Sequence, residues 1–492
     1  MPWDLSPFAD AGLTPDLLES LLGEHETRVR PELRRLWDYY RNPADAPARR
    51  GSRLRAPLAS GGNPGPAAAS LAQASGLPHR LMKPAADPSE GPREIVIEND
   101  IAWRIDALVD FACGKAPEIR SAAPDPGRRA EIDAALDAAW RRSGGPSLLQ
   151  EACLLACVYG SVDFVLREGP DPAVEIIEPT RAVPVLDAGD YRRLLAYVIH
   201  VPKGGATSGG SDVQPAAPRW FAEMFRRRSA PPDTRPPEVV EILAPGHRQV
   251  YDEGKLVVDD PLTLGELPVV HVQNAAQPFA FAGLSDVEPL IPLQDELNTR
   301  LSDRAHRVTL QSFNMFLARG IEPPRAAGEA LRVAPGQVWF ADNPDADIKA
   351  FGGDGDSPSE TRHIDELREA MDKTSGVSPV VIGVIRERLG HLSSENALRL
   401  TLSGILSKTA RKRQAFGAAI ERLCRLVLAS LDRAGTLRTA PAERGVSVRW
   451  PDPLPIDDRA RLSAALMKRE LGVPAERVLA ELGYAGTDDP SR

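Results

Sequence analysis

Cysteine is scarce in this sequence of 492 residues. Four cysteines occur, at positions 113, 153, 157 and 424. They are too few for a secreted scaffold built on disulfides, so a reducing compartment is expected. Cys153 and Cys157 have the i, i+4 spacing that a metal pair could use on a helix, but no His or further Cys lies near them in the sequence. Their neighbours are Leu, Ala and Val, which indicates buried apolar packing instead.

Long apolar runs and an excess of basic residues are also missing. Without a run of 18 apolar residues, no membrane span is predicted. The start, Met1-Pro2-Trp3-Asp4, lacks the basic and apolar regions of a signal peptide. Asp and Glu number 69 against 60 Lys and Arg, which gives a net charge of −9. This balance argues against a protein that holds nucleic acid tightly through its overall field, although DNA can still pass through the molecule without being gripped.

The usual signatures of catalysis are absent as well. Gly114-Lys115 lacks the first Gly and the final Ser or Thr of a phosphate-binding loop, and there is no nucleophile elbow, paired-His zinc motif or Gly-rich dinucleotide turn. The eight His residues are scattered singly. Asp342, Asp345 and Asp347 lack the Gly and Glu that a calcium loop requires, which favours a polar turn. The sequence therefore predicts no catalytic residue, no cofactor and no metal site, and a protein that is not an enzyme.

The first half of the chain shows a mixture of helix and strand signals. Hydrophobic residues make up 42% and charged residues 26%, as in an ordinary globular protein. Thr14-Pro15-Asp16 is a typical helix start. Alternating patterns predict strands over 161–166, 173–177, 194–201, 239–243, 249–251 and 267–272. The Pro- and Gly-rich stretches 43–93 and 203–237 are predicted to be loop insertions.

The second half is predicted to be mainly helical. One long helix is expected over 285–318, with Ser285 as its N-cap. A small β-like insert, a helix over 357–375 and a short apolar loop follow, and a third long helix is expected over 393–434. Residues 285–318 and 357–376 each carry five acids against three bases, whereas 386–413 carry seven bases against two acids. Solvated helix faces explain each segment alone, so the order of the elements is the more distinctive feature.

Several short stretches occur in a characteristic order between Tyr39 and the C-terminal helices. These stretches are Glu98-Asn99-Asp100, residues 110–117, 156–160, 264–270, 283–288, 293–298 and 393–398. In this order the chain resembles the portal proteins of tailed double-stranded DNA bacteriophages. The insertions at 43–93 and 203–237 depart from the family's pattern.

The resemblance implies an α+β, mainly helical subunit in a ring, expected to be a dodecamer, around a central channel. Mapped onto this chain, it assigns 1–284 and 391–445 to a wing. It assigns 285–318 and 357–376 to two stem helices, 319–356 to a clip, 377–390 to a tunnel loop and 446–492 to a crown. The implied function is that of a head-to-tail connector at one capsid vertex, through which DNA is packaged and ejected.

The resemblance also implies partners and contact residues. The expected partners are further copies of the chain, double-stranded DNA, the terminase large subunit, the major capsid protein and a head-tail adaptor, with no membrane. The protein is then expected in the virion after assembly in the host cytoplasm. Trp339 and Phe340 are candidates for clip contacts. A nucleic-acid-processing enzyme and a cellular helical scaffold remain the alternatives at this point.

The apolar residues of the tunnel loop, Val380, Val381 and Ile382, are candidates for a constriction of the channel. Arg386 and Arg388 follow them and are candidates for brief contacts with the DNA backbone. A surface turn would be expected to be polar, so the apolar run needs an explanation. A turn buried inside one subunit is the alternative interpretation of the same residues.

Overall fold

The computed structural model describes residues 3–43, 71–82, 94–202, 238–311, 316–319, 338–341, 358–383, 395–454 and 458–482. The helices in these ranges are α1 (Pro15–Glu24), α2 (Arg30–Arg41), α3 (His79–Met82), α4 (Ala102–Cys113), α5 (Pro126–Arg142), α6 (Pro146–Tyr159), α7 (Ile291–Gln311), α8 (Pro358–Ser375), α9 (Glu395–Thr401), α10 (Ser403–Arg433), α11 (Asp458–Glu470) and α12 (Ala475–Leu482). The strands are β1 (Glu118–Ser121), β2 (Ser161–Arg167), β3 (Ala173–Ile177), β4 (Ala182–Leu186), β5 (Leu194–Pro202), β6 (Glu238–Ala244), β7 (His247–Asp252), β8 (Lys255–Pro261), β9 (Val269–Gln273), β10 (Phe316–Arg319), β11 (Val338–Ala341) and β12 (Val446–Arg449). The protein is α+β and mainly helical, as the sequence predicts.

The first α-helix starts where the sequence predicts it, after a 3-10 helix over Ser6–Ala11. The Thr14 hydroxyl accepts a hydrogen bond from the Leu17 amide at 3.2 Å, which caps α1. The π-helical turn His25–Val29 joins α1 to α2. Pro31 near the start of α2 has no amide proton to donate to the preceding turn, which accounts for this irregular stretch.

Eight of the twelve described strands belong to two antiparallel sheets. β4 to β8 make a five-stranded meander, and β2 lies between β3 and β9 in the other sheet. Glu253 and Gly254 both have positive φ angles, and they form the tight turn between β7 and β8. Trp3, Leu5 and Phe8 cover one face of the five-stranded sheet with apolar side chains. The six strands predicted for the first half are all present with small changes at their ends, whereas β1, β4 and β8 were not predicted.

A helical core joins the smaller sheet to the second half of the chain. α4, α6 and α10 pack together against β2 and β9. Cys153 and Cys157 lie fully buried in this core, which confirms the predicted packing role. Among the described residues, no helix is both long and apolar enough to cross a membrane.

Three predicted boundaries are wrong. The helix expected over 285–318 begins at Ile291, after a 3-10 turn that contains Pro289, and residues 316–319 form β10, which pairs in parallel with β11. The helix expected over 393–434 is interrupted at Leu402, between α9 and α10. Residues 71–82, expected to be part of a peripheral loop, carry a 3-10 turn and α3, and the Gln73 side chain in that turn is fully buried.

Candidate functional site

The candidate site is the region where α7 and α8 pack side by side and the chain turns back towards α10. After α8 ends, Ser378 caps the 3-10 turn Pro379–Ile382, and Gly383 closes it with a φ of 82°. Val377 is fully buried, and Val381 packs against the helical core. Ile382 is 53% exposed. The turn is thus anchored from within the subunit, while its end projects an apolar side chain into solvent.

A close backbone approach holds this turn to the start of α10. A Cβ added to Gly404 would lie 2.7 Å from the carbonyl oxygen of Gly376. Gly376 itself has a φ of 68°, a conformation that favours glycine. The first turn of α10 is therefore held against the end of α8, two residues after the interruption at Leu402.

A buried charge cluster lies at the base of the same region. The Asp286 carboxylate accepts hydrogen bonds from Lys412 Nζ at 2.6 Å, Lys408 Nζ at 3.0 Å and Asn274 Nδ2 at 2.8 Å. Lys412 Nζ also contacts Asn274 Oδ1, and it lies 3.3 Å from Cys157 Sγ. The cluster joins α10 to the two segments that lead into β2 and α7.

The charges in this cluster are stabilised by each other. Burial alone would raise the pKa of Asp286, but Lys412 and Lys408 lower it to about 2. Burial opposes the charge on Lys412, but the Asp286 carboxylate that it contacts raises its pKa above the usual value. A hydrogen bond to Cys153 and burial raise the pKa of Cys157, so this thiol stays protonated. The cluster therefore consists of two ion pairs that share Asp286, and it holds α10 against the segment that precedes α7.

The backbone beside this cluster is equally tight. An added Cβ on Gly160 would lie 2.3 Å from the Gly283 carbonyl oxygen, and one on Gly283 would lie 2.4 Å from the Gly160 oxygen. The Asp286 amide donates to the Cys157 carbonyl at 2.9 Å. The stretches 156–160 and 283–288, singled out separately in the sequence, therefore meet at one junction.

A ladder of buried polar side chains runs along α7. Gln294, Asn298 and Ser302 are all fully buried and follow each other at four-residue intervals. They accept hydrogen bonds at 3.0 Å from the amides of Asp100, Glu98 and Val96, respectively. Four helical residues rise about 6 Å and two extended residues span about 6.6 Å, so the two repeats match.

The ladder also includes the docked segment 71–82. Asn298 Nδ2 donates to Gln73 Oε1 at 3.1 Å, and Gln73 Nε2 donates to the Tyr39 carbonyl at 2.7 Å and to Asn99 Oδ1 at 2.9 Å. The stretches 98–100 and 293–298 are thus joined to each other. The spacing of Gln294, Asn298 and Ser302 was the available sequence signal for this contact, and sequence reasoning missed it because three polar residues on a helix usually face solvent.

Many of the acids on the two helices are bound by cations within the subunit. Arg104 is almost completely buried and contacts Asp372 at 2.5 Å and Asp100 at 2.9 Å. Arg80 contacts Asp303 at 2.5 Å, and Arg307 contacts Glu360. These contacts fasten α7 and α8 to each other and to the preceding segments.

The exposed face of α8 keeps a smaller acidic excess. Asp365, Glu366 and Glu369 are exposed there together with Arg362 and Lys373. Arg362 lies 3.5 Å from Glu366, and Lys373 lies 3.9 Å from Glu369. Such exposed pairs contribute little to stability and are screened by salt. This face therefore carries three acids against two bases.

The other candidate residues are distributed as follows. Val380, Val381 and Ile382 lie together in the 3-10 turn, whereas Arg386 and Arg388 lie outside the described residues. The strand β11 contains Trp339 and Phe340 and pairs with β10.

The bases predicted in α9 and α10 are mostly occupied in contacts within the subunit. Lys408 and Lys412 bind Asp286, and Arg399 contacts Asp452 at 2.6 Å. Arg413 donates to backbone carbonyls that include those of Phe111 and Pro451. Within the part of the chain that the structure covers, no cluster of three or more His, Cys, Asp or Glu side chains is arranged to hold a metal ion.

This chain matches a known protein family in sequence, and it also aligns with solved structures. A sequence model of the family described as phage portal protein, SPP1 Gp6-like, matches residues 21–483. No curated protein sequence matches the chain.

Three solved structures each align with 78% of this chain. The virion of a native gene transfer agent particle matches with 12% identity, 89% coverage of its chain and a TM-score of 0.39. The neck of the empty particle, computed with C6 symmetry, matches with 14% identity, 90% coverage and a TM-score of 0.41. The neck of the native particle, computed with C12 symmetry, matches with 14% identity, 89% coverage and a TM-score of 0.38. Since the family model spans nearly the whole sequence, the chain belongs to the SPP1 Gp6-like family of phage portal proteins.

Proposed function

We propose that this portal protein assembles into a closed ring of twelve copies at one capsid vertex, through which double-stranded DNA is packaged and later ejected. The ring docks the terminase large subunit during packaging and a head-tail adaptor afterwards, and it contacts the major capsid protein. The observation that carries this proposal is the family match over residues 21–483. The contacts of 156–160 with 283–288 and of 98–100 with 293–298, which pair four of the distinctive stretches, support it.

In this proposal α7 and α8 belong to the two stem segments, 285–318 and 357–376. The wing comprises 1–284 and 391–445, the clip 319–356, the tunnel loop 377–390 and the crown 446–492. The Asp286–Lys412 pair and the ladder on α7 support this division, because they fix the stem segments to the wing by buried contacts. A stem held in this way keeps its orientation when DNA moves past it.

The exposed face of α8 is proposed to line the channel. Asp365, Glu366 and Glu369 exceed the bases beside them by one charge in each subunit. Repeated around a ring, this excess repels phosphate weakly at physiological ionic strength, where charges beyond about 8 Å are largely screened. DNA is therefore neither gripped nor strongly excluded, which suits a passage that DNA must cross in both directions.

The turn Val380–Ile382 is proposed to form the narrowest part of the channel. Its support is the combination of an inner anchor, through Val377 and Val381, with an exposed Ile382 at its end. Apolar side chains can touch DNA without binding phosphate. Arg386 and Arg388 are proposed to contact the backbone briefly, and Trp339 and Phe340 to contact neighbouring copies or the packaging motor.

The family is structural and not enzymatic, and we propose the same for this chain. The ATP hydrolysis and DNA cleavage of packaging then belong to the terminase. Purified protein is expected to hydrolyse no ATP and to cut no DNA in either the absence or the presence of divalent metal ions. Turnover that a single substitution in this chain abolishes would contradict the proposal.

Imaging of the purified full chain tests the ring directly. Negative-stain electron microscopy is expected to show closed rings with a central hole, and light scattering is expected to give a mass well above the 53.2 kDa of one chain. A monomer at every concentration and ionic strength, without rings on the grid, would refute it. The number of copies is counted from rotational symmetry in the class averages.

A further inference from the structure

The helical hairpin at the C-terminal end of the described chain lacks a core of its own. α11 and α12 pack chiefly against each other, and a Gly472 φ of 90° allows the turn between them. Of its described side chains, Ala465 and Val478 are the apolar ones that are buried. Isolated helices of 13 and 8 residues are marginal in water, so this hairpin needs further packing to remain helical.

The apolar residues that could provide this packing are exposed. Leu466 is 63% exposed, Met467 62% and Leu471 85%, and Leu462 and Leu479 are about half exposed. Exposed apolar residues that occur singly need no explanation, but this group belongs to one short hairpin. The hairpin therefore presents apolar surface that the rest of the described chain leaves uncovered.

Four of these residues form two separate rows along α11 and its end, where Leu471 directly follows the helix and its amide donates to the Met467 carbonyl. At about 100° per residue, Leu462 and Leu466 lie about 40° apart, and so do Met467 and Leu471. The centres of the two rows lie about 140° apart around the helix, and the buried Ala465 lies outside both. One side of α11 thus packs within the subunit, and two other sides are free to pack elsewhere.

Two different apolar rows suit the contacts in a ring of identical chains. In a head-to-tail ring each subunit offers one patch to the neighbour on its left and a different patch to the neighbour on its right. The charged residues of the hairpin include both signs, Lys468 and Arg469 beside Glu470 and Glu476. A surface of mixed sign suits another copy of itself better than it suits a polyanion such as DNA.

We infer that the hairpin is completed by the two neighbouring copies of this chain, with the Leu462/Leu466 row of one copy packed against the Met467/Leu471 row of the next. This inference rests on the ring of the proposed function. It adds that α11 and α12 gain their stability on assembly and so form a continuous helical belt between subunits.

Covalent trapping in the assembled full chain tests the contact. In the variant Leu466→Cys/Met467→Cys, each chain carries one thiol on each row. The Cα atoms of consecutive residues lie 3.8 Å apart, below the 4.4–6.8 Å of ordinary disulfides, and the helical backbone prevents a link within one chain. The four native cysteines are all buried and do not interfere. Mild oxidation is expected to give a ladder of covalent oligomers that reaches the full ring.

The single variants are the matched controls. Leu466→Cys alone and Met467→Cys alone place one thiol per chain opposite a leucine or methionine, so neither is expected to give covalent dimers. Rings are counted by imaging before oxidation, which separates this inference from the ring itself. Rings that form normally and give no ladder would overturn the contact, and so would dimers from a single variant, because they indicate a symmetric pair of helices.

Hydrogen exchange of the unmodified protein gives a second test that needs no variant. Amides of 458–471 are expected to exchange at least tenfold more slowly in isolated rings than in the monomer fraction. Amides of α6 serve as the internal control, since that helix is buried within the subunit in both states. Equal exchange of 458–471 in rings and monomers would refute the inference while leaving the ring intact.

Discussion

At the residue scale, the contact with the greatest energetic consequence is the one between Asp286 and Lys412. Both groups are buried, and without Lys412 the Asp286 carboxylate keeps only the partly exposed Lys408 as its cation. Because a charged hydrogen bond is lost but one cation remains, Lys412→Met is expected to lower the free energy of unfolding by about 2 kcal/mol. Arg411→Met, a change at the exposed neighbouring position, is expected to stay within about 0.5 kcal/mol of the parent. Urea unfolding followed by tryptophan fluorescence measures both.

The same pair predicts a dependence on pH. The pKa of Asp286 in the folded state is about 2, below its ordinary value of 3.8. Its contribution is therefore present above pH 4 and is lost as the pH falls towards 2. The difference in unfolding midpoint between the parent and Asp286→Asn is expected to be constant from pH 7 to 5 and to shrink below pH 4. A difference that persists unchanged at pH 2.5 would show that the charge of Asp286 does not stabilise the fold.

The two glycines of α10 give a matched pair of substitutions. Gly404→Ala places a Cβ 2.7 Å from the Gly376 backbone oxygen and is expected to cost about 1–3 kcal/mol. In Gly417→Ala the nearest atom is Trp450 Nε1 at 3.5 Å, an ordinary contact, so the better helix former is expected to stabilise by up to about 1 kcal/mol. Opposite signs in thermal unfolding would establish the close approach, and equal effects would refute it.

At the element scale, the ladder on α7 explains how an extended segment without a neighbouring strand is held in place. Gln294→Leu keeps the approximate size of the side chain but leaves the Asp100 amide without its acceptor, which is expected to cost about 1–3 kcal/mol. Hydrogen exchange should then speed up at residues 96–100. Thr299→Val is the control, because the Thr299 hydroxyl bonds to the Asp295 carbonyl of its own helix. Unchanged exchange in Gln294→Leu would mean that the ladder does not hold this segment.

The same elements show which features the sequence could reveal. Strands with alternating side chains, such as β3, were predicted with the correct ends, and so was the cap at Thr14, because these depend on neighbours in the chain. The role of Lys412 was not predicted, since its partners Asp286 and Asn274 lie more than 120 residues away. The strand β10 was mistaken for helix because its pairing with β11 is also a tertiary contact.

At the scale of the whole molecule, the portal assignment depends on many weak stretches in one order, and the structure gives several of them a shared physical basis. Residues 156–160 meet 283–288 through Gly160 and Gly283, and residues 98–100 meet 293–298 through the ladder. None of these stretches is a chemical fingerprint. They are buried contacts between segments that are distant in sequence. Their order along the chain therefore identifies the family, as an active-site motif identifies an enzyme.

The 3-10 turn after α8 is proposed to meet DNA as it passes through the ring. Ile382 is exposed and Val381 is anchored in the core, so a change at Ile382 alters the end of the turn and leaves its anchor intact. Ile382→Asp adds a carboxylate to every subunit around the channel and is expected to lower packaged DNA at least tenfold, with rings still forming. Ile382→Ser removes the apolar contact without charge and is expected to have a smaller effect.

Leu256→Asp, at an exposed position on β8, controls for the loss of an exposed apolar residue. The measurement is the DNA content of particles in a packaging assay, with rings counted by microscopy. If Ile382→Asp packages DNA as well as Leu256→Asp does, the turn does not line the channel, whereas a subunit that fails to fold would identify it as part of the core.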